Sequence, residues 1–349
     1  MPARIEDVAL KADVSTKTVS RVFNRLPNVS EKVRLRVEAA AKELNYRPNP
    51  SARSLAGNRS YLIALLFDNP HAGSSYIMEL IVGVLQACEN THYNAMLRPL
   101  DLSADPVAAI EDFVNQFRPD ALVLTPPIGD DLKVLHRLDE LSIRYSAISA
   151  KSPHARIGVG LNERKAASEM VDHLVALGHR RIGHIAGRDS HGARAWRLAG
   201  YKEGLRKAGL EFDEALVAEG DFSFESGIVA ARQLLDLRQP PTAIFAANDD
   251  SACGAMHEAF ERDLSIPRDL SICGFDDTPA SVQVWPSLTT VHQPCREMGR
   301  IATEQVLLSI RDPQAAQTVR IPYELKIRGS TGPAPTPGDG ASRSGSRKS

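Results

Sequence analysis

Two helix-forming runs, Ile5 to Ala12 and Thr16 to Asn24, are separated only by Asp13-Val14-Ser15. Neither is long enough to hold a helix in water by itself, so each must pack on the other and on a third element at once. Ser15 is placed to cap the second run, and the spacing predicts a helix-turn-helix. In that second run Val19, Val22, Phe23 and Leu26 fall on one side at helical spacing, and Lys17, Ser20, Arg21 and Asn24 fall on the other. A third helix is expected after Ser30, with Val33, Val37, Ala40 and Leu44 closing a small three-helix core, and Pro48 and Pro50 ending it. One face of the second helix is thereby committed to packing, and the opposite face is free to touch DNA.

The net charge of −1 over 349 residues would by itself argue against a nucleic-acid partner. Its distribution argues the other way. Residues 1–59 hold 12 Lys and Arg against 6 Asp and Glu, a balance of +6, which leaves 30 against 37, or −7, for residues 60–349. With 43% hydrophobic residues, the chain beyond the N-terminal module can bury one large core or two moderate ones, so two or three domains are expected. No apolar run is long enough to span a bilayer, and Glu6 and Asp7 stand where a signal peptide would be apolar, so a cytoplasmic protein with no membrane partner is expected. Cys88, Cys253, Cys273 and Cys295 lack the paired spacing of a zinc or redox centre and read as reduced, mostly buried thiols. No metal site and no cofactor are expected.

From residue 60 onward short apolar runs alternate with amphipathic helices, the pattern of an α/β fold with parallel sheets. The clearest strands are Leu62 to Phe67, Ala121 to Thr125, Arg181 to Ala186, Thr242 to Ala246 and Leu270 to Phe275. Helices are expected over Ile77 to Asn90, Pro106 to Phe117, Arg164 to Leu177, Ala195 to Ala208, Phe224 to Leu237, Ser251 to Arg262 and Arg296 to Ser309. Ligands of open parallel sheets bind beyond the carboxyl ends of the strands. Arg197, Asn248 and Asp276 each follow a strand and are expected to project into one crevice. Asn248 has a competing role as a helix cap. No Gly-x-Ser-x-Gly elbow, phosphate-binding glycine loop or His-Glu-x-x-His helix occurs, and the carboxylate pairs Asp249-Asp250 and Asp276-Asp277 need no more than loop-capping roles. No catalytic residue is expected.

The runs Asp7-Val8-Ala9, Val14-Ser15, Thr18-Val19-Ser20-Arg21-Val22, Val29-Ser30, Asn45-Tyr46-Arg47-Pro48-Asn49 and Ala52-Arg53-Ser54-Leu55 carry a specific resemblance that continues to about Gly329. In them the chain resembles the lactose/galactose repressor (LacI/GalR) family of bacterial transcription factors. The resemblance implies a helix-turn-helix domain over 1–48, a hinge helix over 49–58, and a periplasmic-binding-protein-like body over 59–329. That body would hold two parallel-sheet α/β subdomains, the first about 60–160 and 292–320, the second about 161–291 and 321–329, with crossings near Gly160, Val291 and Ile321. In the resemblance Thr16, Lys17 and Arg21 read bases, with phosphate contact the competing role for Lys17, and the hydrogen-bonding side chains of Ser20 and Asn24 are expected on phosphates. Ala52 and Leu55 of the hinge lie on the DNA, and Leu55 wedges into the central minor-groove step of a palindromic operator bound by a homodimer. The helix around Tyr76 to Asn90 would carry the dimer contact. The tail, 330–349, is rich in Gly, Pro and Ser and is expected to be disordered.

The resemblance also assigns Arg197, Asn248 and Asp276 to effector binding and places Phe222 where an aromatic stacks on a sugar ring. Asn69, with Asp68 and His71, follows the first strand and is a further candidate, although this loop departs from the commoner family pattern. Ser149 stands where many members have Asp. A guanidinium, a carboxylate and an aromatic face together suit a neutral polyol. The expected function is therefore a DNA-binding repressor of carbohydrate genes released by a small sugar. The alternatives are a purine or anionic effector acting as corepressor and, more remotely, a solute-binding receptor.

Overall fold

The computed structural model describes residues 3–23, 28–46, 59–68, 74–103 and 105–335, and it divides into two units, 1–61 and 62–349. The hinge segment 49–58, and with it Ala52 and Leu55, lies outside the described residues, as do Asn24 and Asn69.

The first unit is built from α1 (Ile5–Lys11), α2 (Thr16–Phe23) and α3 (Glu31–Glu43). Asp13 takes a positive φ of 48° and ends the first helix, and Val14 N donates to Ala9 O at 3.0 Å. Ser15 Oγ accepts from Thr18 N at 3.2 Å, and Ser30 Oγ from Val33 N at 3.4 Å, so both expected caps are present. Val8, Ala12, Val19, Val22, Val37 and Ala40 form the buried core, with the Phe23 and Tyr46 rings packed beside it at 5.7 Å between centroids.

The second unit starts with β1 (Leu62–Asp68), α4 (Ser75–Cys88), β2 (Asn94–Leu100), α5 (Pro106–Phe117), β3 (Ala121–Leu124), α6 (Leu132–Glu140), β4 (Arg144–Ile148) and β5 (Gly158–Gly160). It continues with α7 (Glu163–Ala176), β6 (Ile182–Ile185), α8 (Gly192–Lys207), β7 (Val217–Ala218), α9 (Phe224–Leu235), β8 (Ala243–Ala246), α10 (Asp249–Glu261) and β9 (Ser271–Asp276). It closes with α11 (Ala280–Gln283), β10 (Thr289–His292), α12 (Cys295–Arg311), β11 (Thr318–Arg320) and β12 (Glu324–Lys326). Among the described residues these strands form two six-stranded sheets, ordered β11-β5-β4-β3-β1-β2 and β12-β10-β9-β8-β6-β7. The first is parallel throughout, and in the second only β12 runs antiparallel, against β10. β1, β3, β6, β8 and β9 are apolar and almost entirely buried, as strands covered by helices on both faces must be.

The same winding order is used twice, so each sheet reverses direction at one point, between β1 and β3 in the first and between β6 and β8 in the second. Loops leaving the carboxyl ends at such switch points splay apart and open a crevice. The chain passes between the sheets after β5, between β10 and α12, and between β11 and β12. One buried cluster runs through both lobes, joining Ile63, Phe67, Ile148 and Val159 of the first to Ile182, Phe245, Phe275 and Val291 of the second.

One expectation is corrected here. Residues 330–335 do not belong to a disordered tail. Ser330 is fully buried, its Oγ donates to Ile272 O at 2.6 Å and accepts from Thr289 N at 2.7 Å, and its carbonyl takes the N–H of Ile272 at 2.9 Å. Gly332 N donates to Ser271 Oγ at 3.1 Å, Gly332 O lies 3.0 Å from His179 Nε2, and Ala334 N donates to Leu177 O at 2.8 Å. Composition pointed to a loose end because Gly, Pro and Ser bury little apolar surface. Backbone and hydroxyl hydrogen bonds hold these residues instead. Residues 336–349 lie outside the described residues. Among the described residues no helix is long and apolar enough to cross a membrane.

Candidate functional site

On α2, Val19 and Val22 are buried, Ser20 is half-buried, and Thr16, Lys17 and Arg21 are exposed. The first turn of this helix has no acidic residue. The exposed face therefore offers one hydroxyl and two cations, with no carboxylate at the helix start to repel a phosphate backbone.

In the second unit the loops at the carboxyl ends of both sheets enclose a cleft. The first lobe lines it with Asp68, Ser74, Tyr76, Ile77, Pro126 and Ser149, and the second with Glu163, His191, Ala193, Arg197, Phe222, Asn248 and Asp276. Arg197, Phe222, Asn248, Asp276 and Ser149, the expected residues within the described chain, are thus brought together.

Arg197 is the centre of the arrangement. Its Nε donates to Glu163 Oε2 at 2.9 Å, its Nη1 donates to Ala247 O at 2.5 Å and lies 3.6 Å from Asp276 Oδ1, and its Cζ sits 3.8 Å from the centroid of the Phe275 ring. Nη2 takes part in none of these contacts. The guanidinium and both carboxylates are nearly withdrawn from solvent, with side-chain exposures of 5% for Arg197, 1% for Glu163 and 6% for Asp276. Burial alone would lower the Arg197 pKa, but Glu163 and Asp276 beside it raise it above the ordinary value, so the cation is fixed. Burial holds the Asp276 carboxyl well above the usual carboxylate range against the opposing pull of Arg197, and Gln293 Nε2 donates to its Oδ1 at 2.9 Å.

Asn248 serves two backbone partners at once. Its Oδ1 accepts from Ser251 N at 3.1 Å and caps α10, while its Nδ2 donates to Phe222 O at 2.9 Å. The asparagine therefore holds the loop that presents Phe222 to the cleft. The Phe222 ring lies on Gly187, where an added Cβ would sit 1.9 Å from it, and 4.9 Å from the His191 ring between centroids. Ser149, Phe222 and Asp276 all hold positive φ, at 47°, 72° and 120°. Such backbone is costly for residues with a side chain and gathers at sites that must fix side chains in place.

Several cleft residues were not read from the sequence as site residues. Glu163 opens α7 just after the chain leaves the first sheet, behind the cap in which Asn162 Oδ1 accepts from Lys165 N at 3.1 Å. Tyr76 and His191 are helix-start residues. Burial holds the Tyr76 phenol well above its ordinary pKa, so it is a neutral donor. Polar contacts among the described residues cross the cleft. Arg188 Nη1 meets Asp68 Oδ2 at 2.7 Å, and Gly192 N donates to Asp130 Oδ2 at 2.8 Å.

Residues 4–49 match the description "Bacterial regulatory proteins, lacI family", and residues 171–331 match "Periplasmic binding protein-like domain". The HTH-type transcriptional repressor CytR of Escherichia coli (strain K12) is 35% identical over 333 residues, covering 94% of this chain and 96% of that protein. Among solved structures, the lac repressor dimer bound to operator and the anti-inducer ONPF is similar with a TM-score of 0.79 at 30% identity, covering 95% of this chain and 100% of that one. The complex of the transcriptional regulator CelR with cellobiose is similar with a TM-score of 0.72 at 28% identity, covering 94% and 99%.

Proposed function

The chain belongs to the lacI family of bacterial regulatory proteins and is a DNA-binding transcriptional regulator, not an enzyme; from that premise we propose that it is a cytoplasmic homodimeric repressor of carbohydrate catabolic genes, released from a palindromic operator by a small neutral sugar. The observation that carries the effector reading is the cleft itself, where the Arg197 guanidinium lies beside the carboxyls of Glu163 and Asp276 and the Phe222 ring lines the same space. Hydroxyl groups of a polyol both donate and accept, and they satisfy such a mixed set while the aromatic face covers the C–H side of a ring. The similar CelR structure holds cellobiose, which favours the same class.

On the DNA side, Thr16, Lys17 and Arg21 enter the major groove, with Arg21 reading guanine O6 and N7. Ser20 and Asn24 take phosphates, and Ala52 and Leu55 of the segment 49–58 reach the minor groove at the centre of the site. Two-fold symmetry fits the lac repressor dimer on its operator. The exposed Met78 and Leu85 on α4 supply apolar surface for a second copy. The effector must bind the DNA-free state more tightly to shift the balance, and a full reversal from 1:99 to 99:1 requires about 5.5 kcal/mol of differential binding.

The reading is tested by footprinting the purified protein on its own promoter region with and without cellobiose, ribose and a purine. Palindromic protection reversed by a neutral sugar is the expected result. Protection that only the purine strengthens would replace induction with corepression.

A further inference from the structure

We propose that Glu163 reads the effector directly, its Oε1 accepting a hydrogen bond from an N–H or O–H of the ligand, and that the cleft takes neutral or cationic molecules and rejects phosphorylated or carboxylate ones. The inference rests on the reading of this cleft as the effector site.

The first observation is an unbalanced carboxylate. Glu163 is 2% exposed and lines the cleft, yet its two oxygens differ. Oε2 takes the Arg197 Nε–H at 2.9 Å, whereas Oε1 is buried with no hydrogen-bond partner among the described residues. A buried carboxylate oxygen left unpaired is among the most costly polar atoms a fold can hold. A carboxylate accepts and cannot donate, so whatever relieves Oε1 must bring the hydrogen. Ser149 Oγ, from the other lobe, lines the same cleft and is likewise buried with no hydrogen-bond partner among the described residues. A ligand that donates to Glu163 and exchanges a hydrogen bond with Ser149 would bridge the lobes.

The second observation is the charge balance. Among the described residues lining the cleft, Arg197 is the single Lys or Arg, and Glu163 already matches it. Arg188, at the edge, is paired with Asp68. An incoming phosphate would meet Asp68 and Glu163 without an unmatched guanidinium to receive it, in a place where burial weakens screening. Helix N-termini are the other common anion seats, and those bordering the cleft are occupied. Ser74 Oγ caps α4, Asn162 caps α7, Asn248 caps α10, and the first N–H of α8 is taken by Asp130.

The test is calorimetric titration of the full chain with ribose, cellobiose and adenosine, and with ribose 5-phosphate and adenosine monophosphate. Each parent is expected to bind at least tenfold more tightly than its phosphate ester, about 1.4 kcal/mol. A phosphate ester that matches or exceeds its parent overturns the charge argument. For the tightest parent, a series of deoxy analogues is then titrated against wild type and Glu163→Gln, with a melting curve confirming that the variant is folded. One analogue is expected to lose at least tenfold in wild type and little in the variant, because each change removes the same hydrogen bond. Additive losses across the whole series would mean that Glu163 acts only by holding Arg197, which sinks the proposal. Should Glu163→Gln fail to fold, Glu163→Asp keeps the charge beside Arg197 and gives the same comparison. Binding that ignores both Phe222→Ala and Gly187→Ala would place the ligand outside the cleft, a failure of the underlying reading distinct from an additive cycle.

Discussion

Asp130 of the first lobe accepts the Gly192 N–H of the second at 2.8 Å, so a carboxylate from one side of the cleft sits on the first turn of the helix that carries Arg197 on the other. The contact is favourable both as a charge-assisted hydrogen bond and through the helix dipole. Burial raises the Asp130 carboxyl above its ordinary pKa, with the Lys151 and Gly192 N–H groups acting against that rise. A Cβ on residue 192 would lie 2.8 Å from Lys151 Cβ and 3.1 Å from Asp130 Oδ2. Gly192→Ala is therefore expected to wedge the lobes apart, destabilising the closed cleft by about 1–3 kcal/mol. Small-angle scattering should record a more open body, and calorimetry a roughly 5- to 140-fold weaker effector, that energy taken at tenfold per 1.4 kcal/mol.

Arg197→Ala leaves Glu163 and Asp276 buried without their cation. Breaking such a pair from one side costs about 3–5 kcal/mol, so a marked fall in the denaturant midpoint is expected along with loss of effector binding. The double change Arg197→Met with Glu163→Gln should recover much of the stability and none of the binding. Equal stability of the single and double variants would show that the pair does not carry the energy assigned to it.

Phe222→Ala separates binding from folding more cleanly, because the ring lies over the cleft and is only partly buried. A loss of about 1–2 kcal/mol in effector affinity is expected, on the scale of one aromatic contact and its buried area, with little change in Tm. Gly187→Ala should act in the same direction by displacing the ring that rests on it.

Arg21→Ala and Lys17→Ala are expected to weaken operator binding in different ways. Loss of a bidentate guanine contact at Arg21 should cost about 1–3 kcal/mol and relax the preference at one base pair. If Lys17 touches phosphate alone, its removal will weaken all sequences alike and lower the salt slope by about 1. Gel-shift titrations over a range of salt, on operator and scrambled DNA, distinguish the two.

His184 supplies a pH dependence of known sign. It is wholly buried, its Nδ1 donates to Phe245 O at 2.8 Å, and burial pushes its pKa down from 6.5 to about 4. The unfolded chain takes up this proton near 6.5 and the folded chain only near 4, so the contribution is intact above pH 6.5 and is lost as the pH falls through that window. At 1.36 kcal/mol per unit the loss is about 3 kcal/mol. The stability of wild type minus that of His184→Asn, by denaturant unfolding at pH 7 and pH 4, should shrink by that amount. Carboxylates common to both proteins cancel in the difference.

The parts of the fold legible in the sequence are those with a two-sided physical signature. β1, β3, β6, β8 and β9 are mostly apolar runs because both of their faces are covered. β2 was not expected, since it is mostly exposed, carries Pro99 and lies at an edge of its sheet. β11 and β12 are edge strands of three residues each, with little buried surface to mark them. The cleft followed the same division. Arg197, Asn248 and Asp276 were legible because each follows an obvious strand, and Phe222 and Ser149 through the family resemblance. Glu163 follows the three-residue β5, and its partner Arg197 lies 34 positions away, so no local pattern joins them. The double duty of Asn248 also needed coordinates, because its second partner is a backbone carbonyl 26 residues earlier.

The order of synthesis gives the stitched residues Ser330 to Ala334 a further meaning. The first sheet is incomplete until β11 at Thr318–Arg320 has been made, and the second until β12 and the hydrogen bonds of Ser330, Gly332 and Ala334 are in place. The three-helix unit has its own core, whose described members all lie between Ile5 and Tyr46. Since domains fold as units from the N-terminus while the ribosome is still working, a half-made chain can already present a finished DNA-reading surface. The apparatus that responds to ligand closes only when nearly the last described residue has emerged.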